Sequence, residues 1–317
     1  MCIRDSLLSV RYLLPLALPF LVGLAVAFAY KVGLFNIGAS GQYTIGAFLA
    51  LTCAIELQMP WYVCLLAAAV GGAIWGLFPG LFKALFNVNE VLTAIMFNWI
   101  GMNLVNFLIP NMPRMLDSDW GASASDRTAA LANANPGAIL PRLGLDQLFQ
   151  YRYMNIGFFL AVVISLIVWV ILKKTTFGYE LKACGLSRDA AQYAGINSKR
   201  NIVLSMVISG ALSGIGGAYL TTCYSSTYTD GIVAGRGFIA LAAVIFGRWN
   251  AGGILLACLF FGFCDALQIR LQVSGIAIPY QFFQMIPYVA TVVVLTLIGA
   301  RQAGPKANGK PYRREQR

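Results

Sequence analysis

What most constrains this chain is a run of about 20 apolar residues that recurs along it. Such runs lie at about 8–29, 37–56, 61–82, 88–110, 154–172, 202–222, 232–247, 251–272 and 280–300. Each crosses a hydrocarbon core of roughly 30 Å when helical. In lipid, a helix lets one segment satisfy its own backbone donors and acceptors. The seventh run is the weakest, because only Gly237 to Gly247 is cleanly apolar, a length that also suits a half-helix or re-entrant segment. With 59% apolar and 11% charged residues, 317 residues cannot present a water-soluble surface. The expected fold class is an all-α polytopic membrane protein with about nine transmembrane helices.

Basic residues set the orientation. With the C-terminus inside, the cytoplasmic side holds Lys31, Lys83, Lys173, Lys174, Lys182, Arg188, Lys199, Arg200, Arg248, Arg301, Lys306, Lys310, Arg313, Arg314 and Arg317, which is 15 of the 23 Lys and Arg. The other side holds Arg4, Arg11, Arg114, Arg127, Arg142, Arg152, Arg236 and Arg270. The net charge of +11 is threaded between apolar runs, so it reads as topology against an anionic membrane surface and not as a nucleic-acid face. Residues 110–153 are then outside, 173–201 inside, and 301–317 form a basic cytoplasmic tail. An odd number of spans starts the chain outside. Residues 1–6, Met-Cys-Ile-Arg-Asp-Ser, read as a non-native start, and a tenth helix is expected upstream in the full-length chain.

Several chemistries are excluded by what is missing. There is no histidine, so His-based acid–base catalysis and Ser–His or Cys–His pairs are out. The seven cysteines form no CxxC pair and mostly sit in apolar runs, as buried small hydrophobes. No GxxxxGK[ST] occurs, so no P-loop holds ATP. Asp265 is the only acid well inside a span, with Arg270 near it, which is too little for a proton relay. No cofactor or metal is expected.

Four motifs remain. Gly33-Leu-Phe-Asn-Ile-Gly-Ala-Ser-Gly-Gln42 puts three glycines between two apolar runs, either as a broken helix lining a cavity or as a plain cytoplasmic turn. Asn87 to Asn98 begins with a cap, Asn89, and an acid, Glu90, against the helix dipole. Further on, Asn98, Asn103 and Asn106 fall within an arc of about 140° and serve either as interhelical ties or as a polar path. In 202–222, Ser205, Ser209, Ser213 and Gly217 recur every four residues, with Gly210, Gly214 and Ala218 one step round, a ladder that admits a close neighbouring helix. Between Gly185 and Gly195 a short amphipathic helix is expected, capped by Ser187, with Ala190, Ala191 and Ala194 leaving a surface for a partner groove.

In this order Gly33–Gln42, Asn89–Asn98, Ala183–Ile196 with Asn201–Gly217, and Gly237–Asn250 resemble the permease subunits of bacterial ABC importers. The branch is that of branched-chain amino acids, ribose-type sugars and nucleosides. Phe35-Asn-Ile-Gly38 with Gly41-Gln42, and Asn89-Glu-Val91 with Met96-Phe-Asn98, look most like its simple-sugar/purine-nucleoside members. Two positions depart: Ser40 and Ala251 stand where the family often has an acid and a proline. The resemblance implies one permease domain over 7–300, in the bacterial cytoplasmic membrane. It implies a substrate path past Asn36, Gln42, Asn98 and Asn103. It also implies a coupling helix over 183–196, using Ala183, Gly185, Asp189, Ala190, Ala191, Gly195 and Ile196. The partners implied are ABC ATPase subunits, a second permease copy or paralogue, an extracytoplasmic binding protein and membrane lipid. The rival readings are a branched-chain amino-acid permease, an ion-coupled secondary carrier, which predicts intramembrane carboxylates, and a membrane-embedded enzyme.

Overall fold

In the computed structural model, residues 13–116, 128–142, 155–224, 226–229, 236–247, 251–273 and a few positions between 282 and 296 are described. The expected start at 1–6, the core of the ninth run and the tail 301–317 lie outside them, as do parts of the loop 110–153. No β-strand forms among the described residues, and helices occupy the first eight apolar runs. We number them α1 (Leu13–Tyr30), α2 (Ala39–Leu51), α3 (Trp61–Phe86), α4 (Glu90–Leu108), α5 (Gly157–Lys174), α6 (Thr176–Leu186), α7 (Arg188–Tyr193), α8 (Ser198–Tyr219), α9 (Arg236–Phe246) and α10 (Ala251–Val273). By length and composition α3, α4 and α8 each suffice to cross a membrane, and α5 with α6 adds a fourth if that pair, bent by 72°, is one span. The chain is a polytopic helical membrane protein. Within the described residues the seventh run carries the helix α9.

At the centre stands α8, and its small residues are the reason. A Cβ added at Gly210 would meet the Gly72 carbonyl oxygen at 2.2 Å, and one at Gly214 the Ala68 oxygen at 2.2 Å. On the α2 side, a Cβ added at Gly46 would lie 2.4 Å from the Gly214 Cα, and one at Gly217 2.1 Å from the Tyr43 oxygen. Backbones this close gain dispersion contacts, the main source of helix attraction where lipid is as apolar as the protein. The ladder read in the sequence is thus the contact surface for α2 and α3. Ser205, Ser209 and Ser213 are fully buried along it.

Both α2 and α8 end in a π-turn, at Thr52–Glu56 and Leu220–Tyr224. Widening the helix frees carbonyls that need new partners. Around the first turn, Asn135 Nδ2 donates to the Ala54 oxygen at 2.9 Å and Arg114 to the Glu56 oxygen at 2.9 Å. Residues 109–116 and 128–140 therefore fold over this end of the bundle. They are tied also to 226–228, with Thr128 N donating to the Tyr228 oxygen at 2.9 Å.

The opposite end differs from the single short helix expected over 173–201. Two helices form there. Thr175 caps α6, accepting from Gly178 N at 3.1 Å. Gly178 lies where a Cβ would be 2.2 Å from the Ile171 oxygen, so the glycine permits the sharp bend after α5. Ser187 caps α7 as expected, accepting from Ala190 N at 3.3 Å, and Gly195 ends the unit at φ +80°.

Candidate functional site

The segment between α1 and α2 is a genuine interruption. Gly33 takes φ +80° as the chain leaves α1, residues 34–36 run without helical bonds, and α2 starts only at Ala39. Val32, Gly33, Leu34, Asn36 and Gly38 are buried, so this is not a turn in solvent. The extended limb reaches Ser209, the twelfth residue of α8 and so about 17 Å along its axis. That is near mid-depth for a ~30 Å hydrocarbon core. Irregular backbone at such depth needs internal partners.

They are neutral amides and a hydroxyl. Asn36 Nδ2 donates to Gln42 Oε1 at 2.9 Å and to Ser209 Oγ at 2.7 Å, and Gln42 Nε2 returns a bond to Asn36 Oδ1 at 3.3 Å. Ser209 Oγ in turn donates to the Ala25 oxygen at 2.7 Å, so one chain of bonds ties α1, the break, α2 and α8. All three side chains are fully buried. Gly38 and Gly76 leave room for the pair: a Cβ on either would come within 3.4 Å of Gln42 Nε2.

Asn98 closes the other side. Its Oδ1 accepts from Gly41 N at 2.8 Å and its Nδ2 donates to the Ile37 oxygen at 3.0 Å, clamping α4 onto the break. Gly41 sits against the Asn98 Cα, where a Cβ would be 2.9 Å away. Asn103 goes elsewhere. It is exposed, and its Nδ2 donates to the Trp99 oxygen of its own helix at 2.8 Å. The structure thus brings Asn36, Gln42 and Asn98 to one place and leaves Asn103 on the outer face of α4.

Three features here were not found in the sequence. Ser209, a packing residue in the sequence ladder, anchors the amide pair. Beside Asn98 the aromatic partner is Phe97, stacked on Phe78 at 5.1 Å between centroids and edge-on to Trp75 at 5.6 Å, whereas Trp99 is 62% exposed. The third is an ion pair. Asn89 does cap α4, accepting from Val91 N at 2.9 Å, but Glu90 meets Lys83 Nζ at 2.8 Å with both side chains fully buried. The seven-residue spacing across Asn87, which turns the chain at φ 56°, was the available signal.

At the α6–α7 end, Ala190 and Ala194 are exposed, as a docking surface requires, with Asp189 and Gly195 beside them. Ala191 is instead 3% exposed and packs into the chain's own core. Ala183, Gly185 and Ile196 are half-buried. A Cβ on Gly185 would be 2.2 Å from the Lys31 oxygen, so α6 rests directly on the turn that opens the break. The large apolar side chains presented outward there include Leu186 and Tyr193, 78% and 84% exposed.

A buried non-helical link between two apolar helices, held by neutral amides and a hydroxyl on closely packed helices, is the architecture of a polytopic membrane protein. Sequence comparison agrees. The family model described as "Branched-chain amino acid transport system / permease component" matches residues 9–295, and the chain belongs to that family. It is similar to the guanosine ABC transporter permease protein NupP of Bacillus subtilis (strain 168), 36% identical over 248 residues covering 76% of this chain and 68% of that one. The guanosine ABC transporter permease protein NupQ of the same organism is 32% identical over 312 residues, 95% and 93% of the two chains. The nucleoside ABC transporter permease protein NupB of Lactococcus lactis subsp. cremoris (strain MG1363) is 36% identical over 252 residues, 76% and 66%.

Proposed function

We propose that the chain is the membrane permease of an ATP-driven importer for nucleosides, with simple sugars as the related alternative. The observation that carries this reading is the set of neutral donors and acceptors at the break: Asn36, Gln42, Ser209 and Asn98. A nucleoside brings ribose hydroxyls and base amides, each costing a few kcal/mol to dehydrate without a partner. Amides both donate and accept, so they suit such a solute and hold it weakly enough for release. The guanosine and nucleoside relatives support the same substrate class. An ion-coupled carrier needs titratable carboxylates within the bundle, and Glu90 is already neutralised by Lys83.

In this reading the solute passes Asn36, Gln42, Asn98 and Asn103. Ala183, Gly185, Asp189, Ala190, Ala191, Gly195 and Ile196 belong to the coupling segment. Its docking surface for the ATPase is formed by Ala190 and Ala194 with Leu186 and Tyr193. A second permease copy or paralogue and an extracytoplasmic binding protein complete the complex. The chain crosses the bacterial cytoplasmic membrane nine times, with 110–153 outside and 173–201 and the tail inside. The test is uptake of labelled guanosine by cells lacking their own nucleoside importers and expressing this chain with its companion ATPase, second permease and binding protein. Competition by nucleosides, with uptake surviving a protonophore while ATP is maintained, is expected. Competition by leucine alone points to the branched-chain amino-acid reading, and loss of uptake with the ion gradient overturns the ATP-driven one.

A further inference from the structure

Between α1, α5 and α6 lies a cavity of about 220 Å³ whose chemistry is divided. Its walls are apolar, from Leu24 and Phe28 of α1 and Val168 and Leu172 of α5. Its remaining lining includes three amines: Lys31 just after α1, Lys173 in the last turn of α5, and Lys182 on α6. No acidic side chain lines it. The fold brings these amines together by two devices already described, the 72° bend between α5 and α6 and the seating of Gly185 on the Lys31 carbonyl. Lys173 Nζ also sits 5.6 Å from the centre of the Trp169 ring, which lines the same cavity. Burial, and then the charge of Lys182, push the Lys31 amine below its ordinary pKa. Like charges gathered beside a half-buried amine are unfavourable unless an anion joins them.

An occupant must bring negative charge to the amines and hydrocarbon to the walls. A free inorganic anion meets only the first demand and a neutral apolar solute only the second. The cavity is also smaller than the ~300–1,000 Å³ that encloses a whole small-molecule ligand. A membrane lipid with a phosphate headgroup meets both demands while leaving most of itself in the bilayer, and basic pockets between membrane helices on the cytoplasmic side are the expected place for one. We infer that this cavity binds one anionic phospholipid, its phosphate among Lys31, Lys173 and Lys182 and the start of an acyl chain against Leu24, Phe28, Val168 and Leu172. Bound there, the lipid fastens α6 to Lys31 at the exit of α1, five residues before Asn36. The inference rests on the proposed orientation only for the leaflet that supplies the lipid, and its test requires no transport.

The experiment counts phosphatidylglycerol molecules retained by the purified full chain by native mass spectrometry, and follows thermal unfolding in phosphatidylglycerol against phosphatidylcholine. The wild type is expected to retain one phosphatidylglycerol that Lys31→Gln/Lys182→Gln loses, with affinity about thirtyfold weaker in the variant. That factor is ~2 kcal/mol at 1.4 kcal/mol per tenfold, the sum for two amines at an anionic surface. Lys174→Gln, outside the cavity, keeps the lipid, and so does Lys31→Arg/Lys182→Arg. Should the double glutamine variant fail to fold, Lys182→Gln alone gives the same comparison at about fivefold. Equal retention by wild type and glutamine variant overturns the site. Stabilisation by excess inorganic phosphate as large as that by phosphatidylglycerol overturns the lipid and leaves a free-anion site.

Discussion

Asn98 and Asn103 lie on one helix, five residues apart, and have opposite surroundings. Asn98 holds two backbone groups of the break, so removing it lowers stability as well as transport and cannot separate the two. Asn103 donates to the carbonyl one turn before it and faces outward. If it belongs to the solute path, Asn103→Ala changes the KM or rate of guanosine uptake and leaves the melting temperature of the purified complex within a degree or two. Unchanged uptake removes it from the path. Lys83 and Glu90 carry a different expectation. An isolated buried charge costs far more than the net worth of a pair, so Lys83→Met should destabilise the chain by roughly 3–5 kcal/mol. Lys83→Met combined with Glu90→Gln should recover most of that loss in thermal unfolding. If the double change is as harmful as the single one, packing and not charge explains the position.

For the helices, the decisive contacts are backbone to backbone. Gly72→Ala places a methyl 2.2 Å from the Gly210 oxygen, and nothing soft can yield there. The helices must part along α3 and α8, and folded yield in membranes should drop severely. Gly252→Ala, where nothing lies within 4 Å, is the matched control and should be neutral. On α7 neighbouring alanines divide the same way. Ala190→Glu adds charge to an exposed surface and is expected to abolish ATPase co-purification and uptake while the permease remains folded. Ala191→Glu forces a carboxylate into the core and should reduce the amount of folded protein itself. If Ala190→Glu leaves both ATPase binding and uptake intact, α7 is not the coupling surface. The helix at 176–186 escaped the sequence reading because its residues are mixed in polarity. What identifies it is a local cap at Thr175 and the contact of Gly185 with Lys31.

For the whole molecule the testable quantity is topology. A cysteine at position 310 should resist an impermeant thiol reagent in intact cells, and one at exposed position 133 should react. Labelling at 310 overturns the orientation. The helical membrane class and the locations of eight helices were legible in the sequence, because hydrocarbon leaves a spanning segment little choice but to bond within itself. The ladder on α8 was legible too, since small residues at fixed spacing have direct steric consequences, whereas at Gly33–Gly38 the sequence left a broken helix and a cytoplasmic turn equally open. Which side of each helix meets protein was not legible. In water an apolar stripe marks the buried face. In lipid the outside is as apolar as the core, so α4 exposes Trp99 and Phe107 while burying Gly101 and Val105. Only tertiary packing decided that Asn98 would clamp the break, that Asn103 would face out, that Ser209 would complete the amide chain, and that Lys83 would reach Glu90.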